Sequence, residues 1–202
     1  SSAYLIKESL NRGLEEEVDK HLHKIHSSVT TMSRLLEDVL TYGKAEEGAL
    51  PVRLTDFSLR EFLLDVIEEA SITDQKQHNV VINIPDYDCR ILSDKFLLRQ
   101  IVLNILSNSM KYSDKGTNIF IDCWHDDGMI KINIKDEGKG ISDDELEHIF
   151  EPFYRNKTAI GITPGIGIGL AIAKRCIDVL QGKIEVNNKF EKGVQFSIIL
   201  PS

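Results

Sequence analysis

The sequence is poor in cysteine, proline and tryptophan, with three, five and one of each among 202 residues. Three widely spaced cysteines form neither a disulfide framework nor a metal-ligand spacing, so we expect reduced thiols that serve in packing. No apolar run approaches the ~20 residues that a membrane-spanning helix needs. Basic residues are also scarce, with 24 Lys and Arg against 32 Asp and Glu and a formal charge of −8. A broadly basic face for nucleic acid or anionic membrane is therefore not expected.

The composition that remains is typical of a globular protein, with 42% hydrophobic and 28% charged residues. The length suits one full domain with a smaller appendage. The first six residues have the character of a helix interior and lack a helix start signal. We therefore expect the chain to be a segment of a longer protein.

An apolar heptad pattern occupies the N-terminal quarter. Its members are Val18, Leu22, Ile25, Val29, Met32, Leu36 and Val39. Their alternating spacing of four and three is typical of a coiled coil or helical bundle, and it predicts a partner helix. A monomeric helical cap on the following domain is the alternative. A short arm at Tyr4–Leu10, ending at Gly13, would make residues 1–48 a truncated helical hairpin.

The glycines and proline of Gly43–Leu54 predict a linker, after which helices and strands mix. The strands and helices do not alternate in the strict βαβ manner. Residues 49–202 are therefore predicted to form an α+β fold, a two-layer sandwich with helices on one face of a largely antiparallel sheet. The predicted helices are 58–70, 94–111 and 170–180, and the predicted strands are 80–84, 91–92, 118–124, 129–135, 183–186 and 194–200.

Glycine is concentrated in one region, since six of the 13 glycines fall between 138 and 169. The run Gly165–Leu170 leads directly into a predicted helix, whose N–H groups and dipole favour a phosphate. Its spacing matches neither a dinucleotide-binding fingerprint nor a P-loop. On its own, the run is equally compatible with a mobile loop.

A polar row runs along the predicted helix 94–111. It consists of Gln100, Asn104, Asn108 and Lys111, which share one face. An amide oxygen suits Mg²⁺, and a lysine one turn later suits a phosphate. A solvated polar face is the alternative. A third element, Asp136 to Gly140, follows a strand, where a carboxylate can accept a hydrogen bond from an exocyclic amine and two glycines leave room for a ligand.

Together, four segments resemble the N, G1, F and G2 boxes of sensor histidine kinases, in that family's order. They are Asn104–Tyr112, Asp136–Ile141, Phe150–Arg155 and Gly165–Leu170. The resemblance extends over residues 54–201, and the heptad segment resembles the second helix of the family's dimerisation hairpin. It implies a Bergerat-type ATP-binding fold for residues 49–202.

The resemblance also implies roles for individual residues toward the cofactors ATP and Mg²⁺. Asn108 would coordinate Mg²⁺ with support from Asn104, while Lys111 would contact a phosphate and Tyr112 would lie near the adenine. Asp136 would bond the adenine amine, which selects ATP over GTP. The remaining members of the nucleotide-binding set are Gly138, Gly140, Ile141 and Phe150.

The resemblance assigns residues 150–164 to a mobile ATP lid. Arg155 or Lys157 would reach the terminal phosphate, so Asn108, Lys111 and Arg155 form the implied catalytic set. The hinge of the lid and its phosphate-binding N–H groups would come from Gly165, Ile166, Gly167, Ile168, Gly169 and Leu170. Such a set positions groups and neutralises charge, which phosphoryl transfer mainly requires.

The histidine that this family phosphorylates has no counterpart here. Its H box reads His-Glu/Asp-x-Arg/Lys-x-Pro, and none of the six histidines has that setting. His21, His23, His26, His78, His125 and His148 are expected to be structural or surface residues. By the family's spacing, the phosphoacceptor would lie upstream of Ser1. The resemblance therefore implies a chain that binds Mg·ATP without phosphorylating itself.

Two alternatives stay open: an ATPase of the gyrase, mismatch-repair or chaperone type, and a nucleotide-binding module without catalysis. Those ATPases place a Glu as general base one turn before the metal-binding Asn, where this chain has Asn104, so the kinase is favoured. The implied partners are a second copy through the hairpin and a response-regulator receiver domain, with no nucleic acid and no membrane contact by these residues. The implied location is cytoplasmic, in a parent for which an inner-membrane anchor stays open.

Overall fold

The computed structural model describes residues 15–48, 50–72, 74, 77–84, 89–126, 128–155 and 166–201. The chain divides into two compact units, Ser1–Leu40 and Thr41–Ser202. The helices are α1 (Glu15–Glu46), α2 (Leu59–Ile72), α3 (Lys95–Tyr112), α4 (Asp143–Leu146) and α5 (Gly169–Val179). The strands are β1 (Leu54–Ser58), β2 (Asn79–Asn83), β3 (Arg90–Asp94), β4 (Asn118–Asp126), β5 (Met129–Asp136), β6 (Lys183–Asn187) and β7 (Gln195–Pro201). No helix within these described ranges is long and apolar enough to cross a membrane.

The first unit contains most of helix α1, which carries the heptad residues. Leu22, Val29, Met32 and Leu36 are 49%, 56%, 68% and 64% exposed. An apolar row left uncovered on this scale indicates a surface that another element covers. The predicted first arm of the hairpin lies outside the described residues, so the hairpin itself stays a prediction.

The predicted linker Gly43–Leu54 begins too early, because α1 continues through Gly43 to Glu46. This last turn belongs to the second unit, where Tyr42 packs against the hydrophobic core and Glu46 pairs with Arg175 of α5. A glycine inside a helix costs about 1 kcal/mol relative to alanine, which such contacts offset. The compact units divide at Leu40, inside α1, whereas the predicted domain boundary follows residue 48.

A two-stranded antiparallel ribbon precedes the main sheet. Strand β1 pairs with β3, with Leu54 opposite Asp94 and Ser58 opposite Arg90. The predicted capping box at Ser58 is present in part, since the Glu61 N–H donates to Ser58 Oγ at 3.4 Å. Helix α2 follows directly and extends to Ile72, slightly beyond its predicted end.

The main sheet has five strands in the order β2-β4-β5-β7-β6. Strands β2 and β4 are parallel and every other pair is antiparallel. The helices α2, α3 and α5 pack over one face of this sheet around a shared hydrophobic core. The predicted α+β two-layer sandwich is therefore confirmed.

Rows of apolar side chains cross the helix-covered face of the sheet. One row joins Ile121, Ile134 and Phe196, and the next joins Cys123, Ile132 and Ile198. All six side chains are buried, and the three free cysteines of the chain are buried as well, which confirms their predicted packing role. The row at the end of β5 differs, because Ile119 there lies opposite Asp136. A carboxylate thus occupies a position where the pattern calls for a core residue.

Candidate functional site

The Asp136 carboxylate lies at the end of β5 and is only 3% exposed. Its Oδ1 accepts hydrogen bonds from the N–H groups of Gly138 at 2.9 Å and Val194 at 3.3 Å. Burial raises the pKa of Asp136 above its ordinary value, and the Gly138 N–H, the Ser109 hydroxyl and the Val194 N–H partly offset this rise. Both of these backbone hydrogen bonds fall on Oδ1, and no backbone N–H among the described residues donates to Oδ2.

Two glycines make the close packing around Asp136 possible. A Cβ at Gly138 would lie 3.0 Å from both Asp136 Oδ1 and the Tyr112 carbonyl oxygen. Gly193 has a φ of +82°, and a Cβ there would lie 1.8 Å from the Asp136 carbonyl oxygen. Gly193 was not predicted as a site residue, since its loop between β6 and β7 carries no sequence signal beyond the glycine itself. Gly140 of the predicted set, with a φ of +74°, packs against Gly193 in turn.

Helix α3 begins at a strong N-cap, where the buried Asp94 carboxylate accepts from the N–H groups of Phe96 and Leu97. Nearly three turns along, Asn104 makes one hydrogen bond and lies against the start of α5. Its Nδ2 donates to the Gln100 carbonyl at 2.8 Å, and its Oδ1 lies where a Cβ on Gly169 would come within 2.7 Å. Asn104 therefore holds the start of α5 close to α3.

The next polar residue of the row, Asn108, is half-buried. Within the described part of the chain, no hydrogen bond is made by its side-chain amide. Farther along, Lys111 Nζ lies 4.9 Å from the centroid of the Tyr112 ring, which is exposed. The end of the row thus presents an amide, an ammonium and an aromatic face beside the Asp136 turn.

Residues on either side of 156–165 contact each other. The Phe153 N–H donates to the Gly167 carbonyl at 2.9 Å, and a Cβ on Gly167 would lie 2.5 Å from the Tyr154 carbonyl oxygen. Gly167 has a φ of +79°, which favours glycine. Arg155 is half-buried beside this junction. Lys157 and Gly165 of the predicted set lie outside the described residues.

The other predicted residues serve as packing around this site. Ile168 is buried, and three other residues of the predicted set, Ile141, Phe150 and Leu170, are partly buried and pack on the hydrophobic core. Ile166 is more exposed, and Gly169 is the first residue of α5. The structure thus brings Asn104 next to Gly169. It also brings Gly138 and Tyr112 next to Asp136, and Phe153 next to Gly167.

A separate cleft of about 530 Å³ opens beside the turn after β5. Its lining includes Lys135, Phe190 and Lys192, with Lys135 Nζ 4.1 Å from the centroid of the Phe190 ring. Gly138 alone among the predicted site residues lines this cleft. Acidic and basic side chains balance there, so it lacks the convergent donors of a phosphate site.

Comparison with known proteins gives consistent matches. Residues 93–202 match the family described as histidine kinase-, DNA gyrase B- and HSP90-like ATPases. The sensor protein KdpD of Clostridium acetobutylicum is 31% identical over 188 residues, which cover 93% of this chain and 21% of KdpD. This chain therefore spans about a fifth of that relative's length.

Two solved structures resemble this chain. The mycobacterial sensor histidine kinase MprB is 25% identical with a TM-score of 0.64, covering 74% of this chain and 97% of that one. Full-length ShkA in complex with AMPPNP is 24% identical with a TM-score of 0.73, covering 95% of this chain and 38% of that one, and it shows the shared fold.

The family match includes the end of β3, helix α3, the Asp136 turn and the start of α5, which are the elements that build the site. The chain belongs to the family of histidine kinase-, DNA gyrase B- and HSP90-like ATPases. Within that family it carries the ATP-binding catalytic core of a sensor histidine kinase.

Proposed function

We propose that this core binds Mg·ATP and transfers the γ-phosphoryl group to a histidine on the dimerisation helix, for relay to an aspartate of a response regulator. The observation that carries the proposal is the buried Asp136 carboxylate, held by Gly138 and Val194 at the end of an apolar row. A desolvated carboxylate is costly at such a position, and carboxylates whose pKa is raised by burial are frequent in ligand-binding sites. The AMPPNP complex of ShkA supports the same nucleotide class.

Adenine recognition follows from the chemistry of Asp136. A carboxylate accepts a hydrogen bond from the 6-amino group of adenine, whereas guanine presents a carbonyl oxygen there and would be repelled. Gly138 keeps the adjacent space free of side-chain atoms, so that the base can approach the carboxylate. The exposed Tyr112 ring offers an apolar surface beside the base.

The residues of α3 fit a magnesium-bound triphosphate. An amide oxygen is a hard ligand, and Mg²⁺ takes few protein ligands when phosphates and waters supply the rest. Asn108 meets this need because its amide makes no hydrogen bond within the described residues. When bound, Mg²⁺ would neutralise phosphate charge. Lys111 and Arg155 would add positive charge at the phosphates, and Asn104 would hold α5 in place for its N–H groups.

Phosphoryl transfer is favoured over ATP hydrolysis by the surroundings of Asn104. Hydrolysis needs a general base that activates water, and a neutral amide cannot take a proton at ordinary pH. The amide is also occupied by the Gln100 carbonyl and by close packing on Gly169. We therefore expect ATP to turn over only when an acceptor histidine is supplied.

The proposal includes dimerisation through the heptad residues of α1 and docking of a receiver domain. The exposed apolar row of Leu22, Val29, Met32 and Leu36 supports pairing with a second copy. None of the six histidines has the setting of a phosphoacceptor. We expect this chain to bind Mg·ATP, to lack autophosphorylation, and to phosphorylate a supplied hairpin poorly.

The experiment is a calorimetric titration of Mg·ADP into the chain and into Asn108→Ala. Loss of a metal ligand is expected to weaken binding by about 10- to 100-fold while the unfolding temperature stays unchanged. The difference should shrink when the titration is repeated in EDTA. Asn83→Ala, which alters an exposed amide on β2, is the matched control. Equal affinities of the wild type and Asn108→Ala in Mg²⁺ would contradict the assignment.

A further inference from the structure

The loop between α2 and β2 is built around a histidine and an aspartate. The Asp74 carboxylate accepts a hydrogen bond from the His78 N–H at 2.6 Å and lies 2.9 Å from His78 Nδ1. The side chain of His78 is 0% exposed and that of Asp74 is 7% exposed. Gln77, which lies between them, has a φ of +55°, a backbone conformation that residues other than glycine rarely adopt. Gln77 thus has an uncommon backbone conformation next to His78.

This pairing fixes the imidazole and defines its second nitrogen. Because Asp74 is an acceptor, Nδ1 carries the proton, and Nε2 points away from Asp74. His78 Nε2 is fully buried and has no hydrogen-bond partner among the described residues. A buried polar atom without a partner is costly, and such atoms commonly bond to ordered water. The ring is therefore held for an interaction on its Nε2 side.

Strand register gives the position of His78 relative to Asp136. Val80 of β2 pairs with Ile119 of β4, and Ile119 pairs with Asp136 of β5. Residues two apart in an extended chain share a face, and the Asn79 N–H continues the ladder by donating to the Thr117 carbonyl. His78 therefore lies on the helix-covered side of the sheet, at the same end as Asp136. A protonated His78 would oppose the effect of burial on the pKa of Asp136.

We propose that His78 is a positioning residue for adenine recognition: oriented by Asp74, it holds the Asp136 carboxylate for the 6-amino group through a bridging water at Nε2. The inference rests on the proposed role of Asp136. It adds a residue that belongs to none of the four boxes and that reaches the site only through pairing of three strands. Histidine is suited to this role because Asp74 fixes one ring nitrogen, while the other is left without a hydrogen-bond partner among the described residues.

The test compares two nucleotides that differ at one group. Mg·ADP and the diphosphate of purine riboside, which lacks the 6-amino group, are titrated into the wild type, His78→Phe, His78→Gln and Asp74→Asn. The ratio of the two affinities isolates recognition of the amine. We expect the ratio to fall about three- to tenfold in His78→Phe, the size of one hydrogen bond, and less in His78→Gln, whose amide oxygen can accept a hydrogen bond in place of Nε2. Asp74→Asn should also lower the ratio.

His125→Phe, on the exposed end of β4, is the matched histidine control and should leave the ratio unchanged. If His78→Phe does not fold, His78→Gln and Asp74→Asn decide the question, because both retain polar side chains. An unchanged ratio, or an equal loss for both nucleotides, would show that His78 is structural only and would overturn the inference. A wild type that does not prefer ADP would instead refute the role of Asp136, and the inference with it.

Discussion

Helices α1 and α3 both carry residues at regular helical spacing, yet their surroundings differ. Most apolar residues of α3, among them Leu98, Ile101 and Ile105, are fully buried within the second unit. The heptad residues of α1, such as Met32 and Leu36, are mostly exposed. Buried side chains stabilise the fold itself. Exposed apolar or unpaired polar side chains are available to a partner, which we propose is a second copy for α1 and a nucleotide for the polar row of α3.

The largest expected effect separates these two apolar rows. Ile105→Ala removes buried methyl groups from the core and should cost about 2–5 kcal/mol of unfolding free energy. Leu36→Ala, on the exposed row of α1, should change the unfolding free energy of the second unit by less than about 0.5 kcal/mol. Denaturant unfolding followed by the fluorescence of Trp124, which lies in the second unit, measures both. Equal losses would mean that the exposed row also stabilises the second unit.

The next effect concerns the partner of α1. Leu36→Glu places a charge in the proposed pairing row and should weaken self-association about tenfold or more, because a charge would be buried between helices. Sedimentation across a concentration series measures it, with Mg·ADP binding as an internal check that should not change. Glu37→Gln, the neighbouring exposed position, is the control. A wild type that remains monomeric at high concentration would favour the helical-cap interpretation instead.

The smallest effect is a pH dependence of nucleotide binding. Because burial raises the pKa of Asp136, its carboxylate protonates at a higher pH than an ordinary aspartate, so the preference for ADP over the purine riboside diphosphate should decline earlier on acidification. Asp136→Asn should show no such dependence of the ratio. The effect of pH on stability has the opposite direction. Because the pKa of Asp136 is raised in the folded state, its contribution to the free energy of unfolding is present below the unfolded pKa and is lost as pH rises through the folded pKa. A ratio that stays constant down to the ordinary aspartate range would contradict the assignment.

Local sequence patterns anticipated much of this structure. Helix α3 and the hairpin of β4 and β5 were predicted to within two residues at each end, because long periodic segments carry their own signal. Strand β1 was missed, since Leu54–Ser58 remains largely exposed and does not alternate in hydrophobicity. It forms because β3 pairs with it.

The predicted site follows the same division. Asp136, Gly138 and Asn108 could be singled out because motifs place them at fixed offsets within one segment. Gly193 could not, because it meets Asp136 only through loop packing across about 60 residues of sequence. The proposed role of His78 could not be predicted either, because it depends on the pairing of three strands. The spacing of residues within one segment does not predict contacts between residues so far apart in the sequence.

The central claim is that Asp136 makes this site selective for adenine nucleotides. The most direct measurement is calorimetric titration of Mg·ADP and Mg·GDP into the wild type and Asp136→Asn. We predict binding of ADP, at least about 100-fold weaker binding of GDP, and loss of most of that preference in Asp136→Asn, since a buried charged acceptor is removed. Equal affinities for ADP and GDP in the folded wild type would contradict the account.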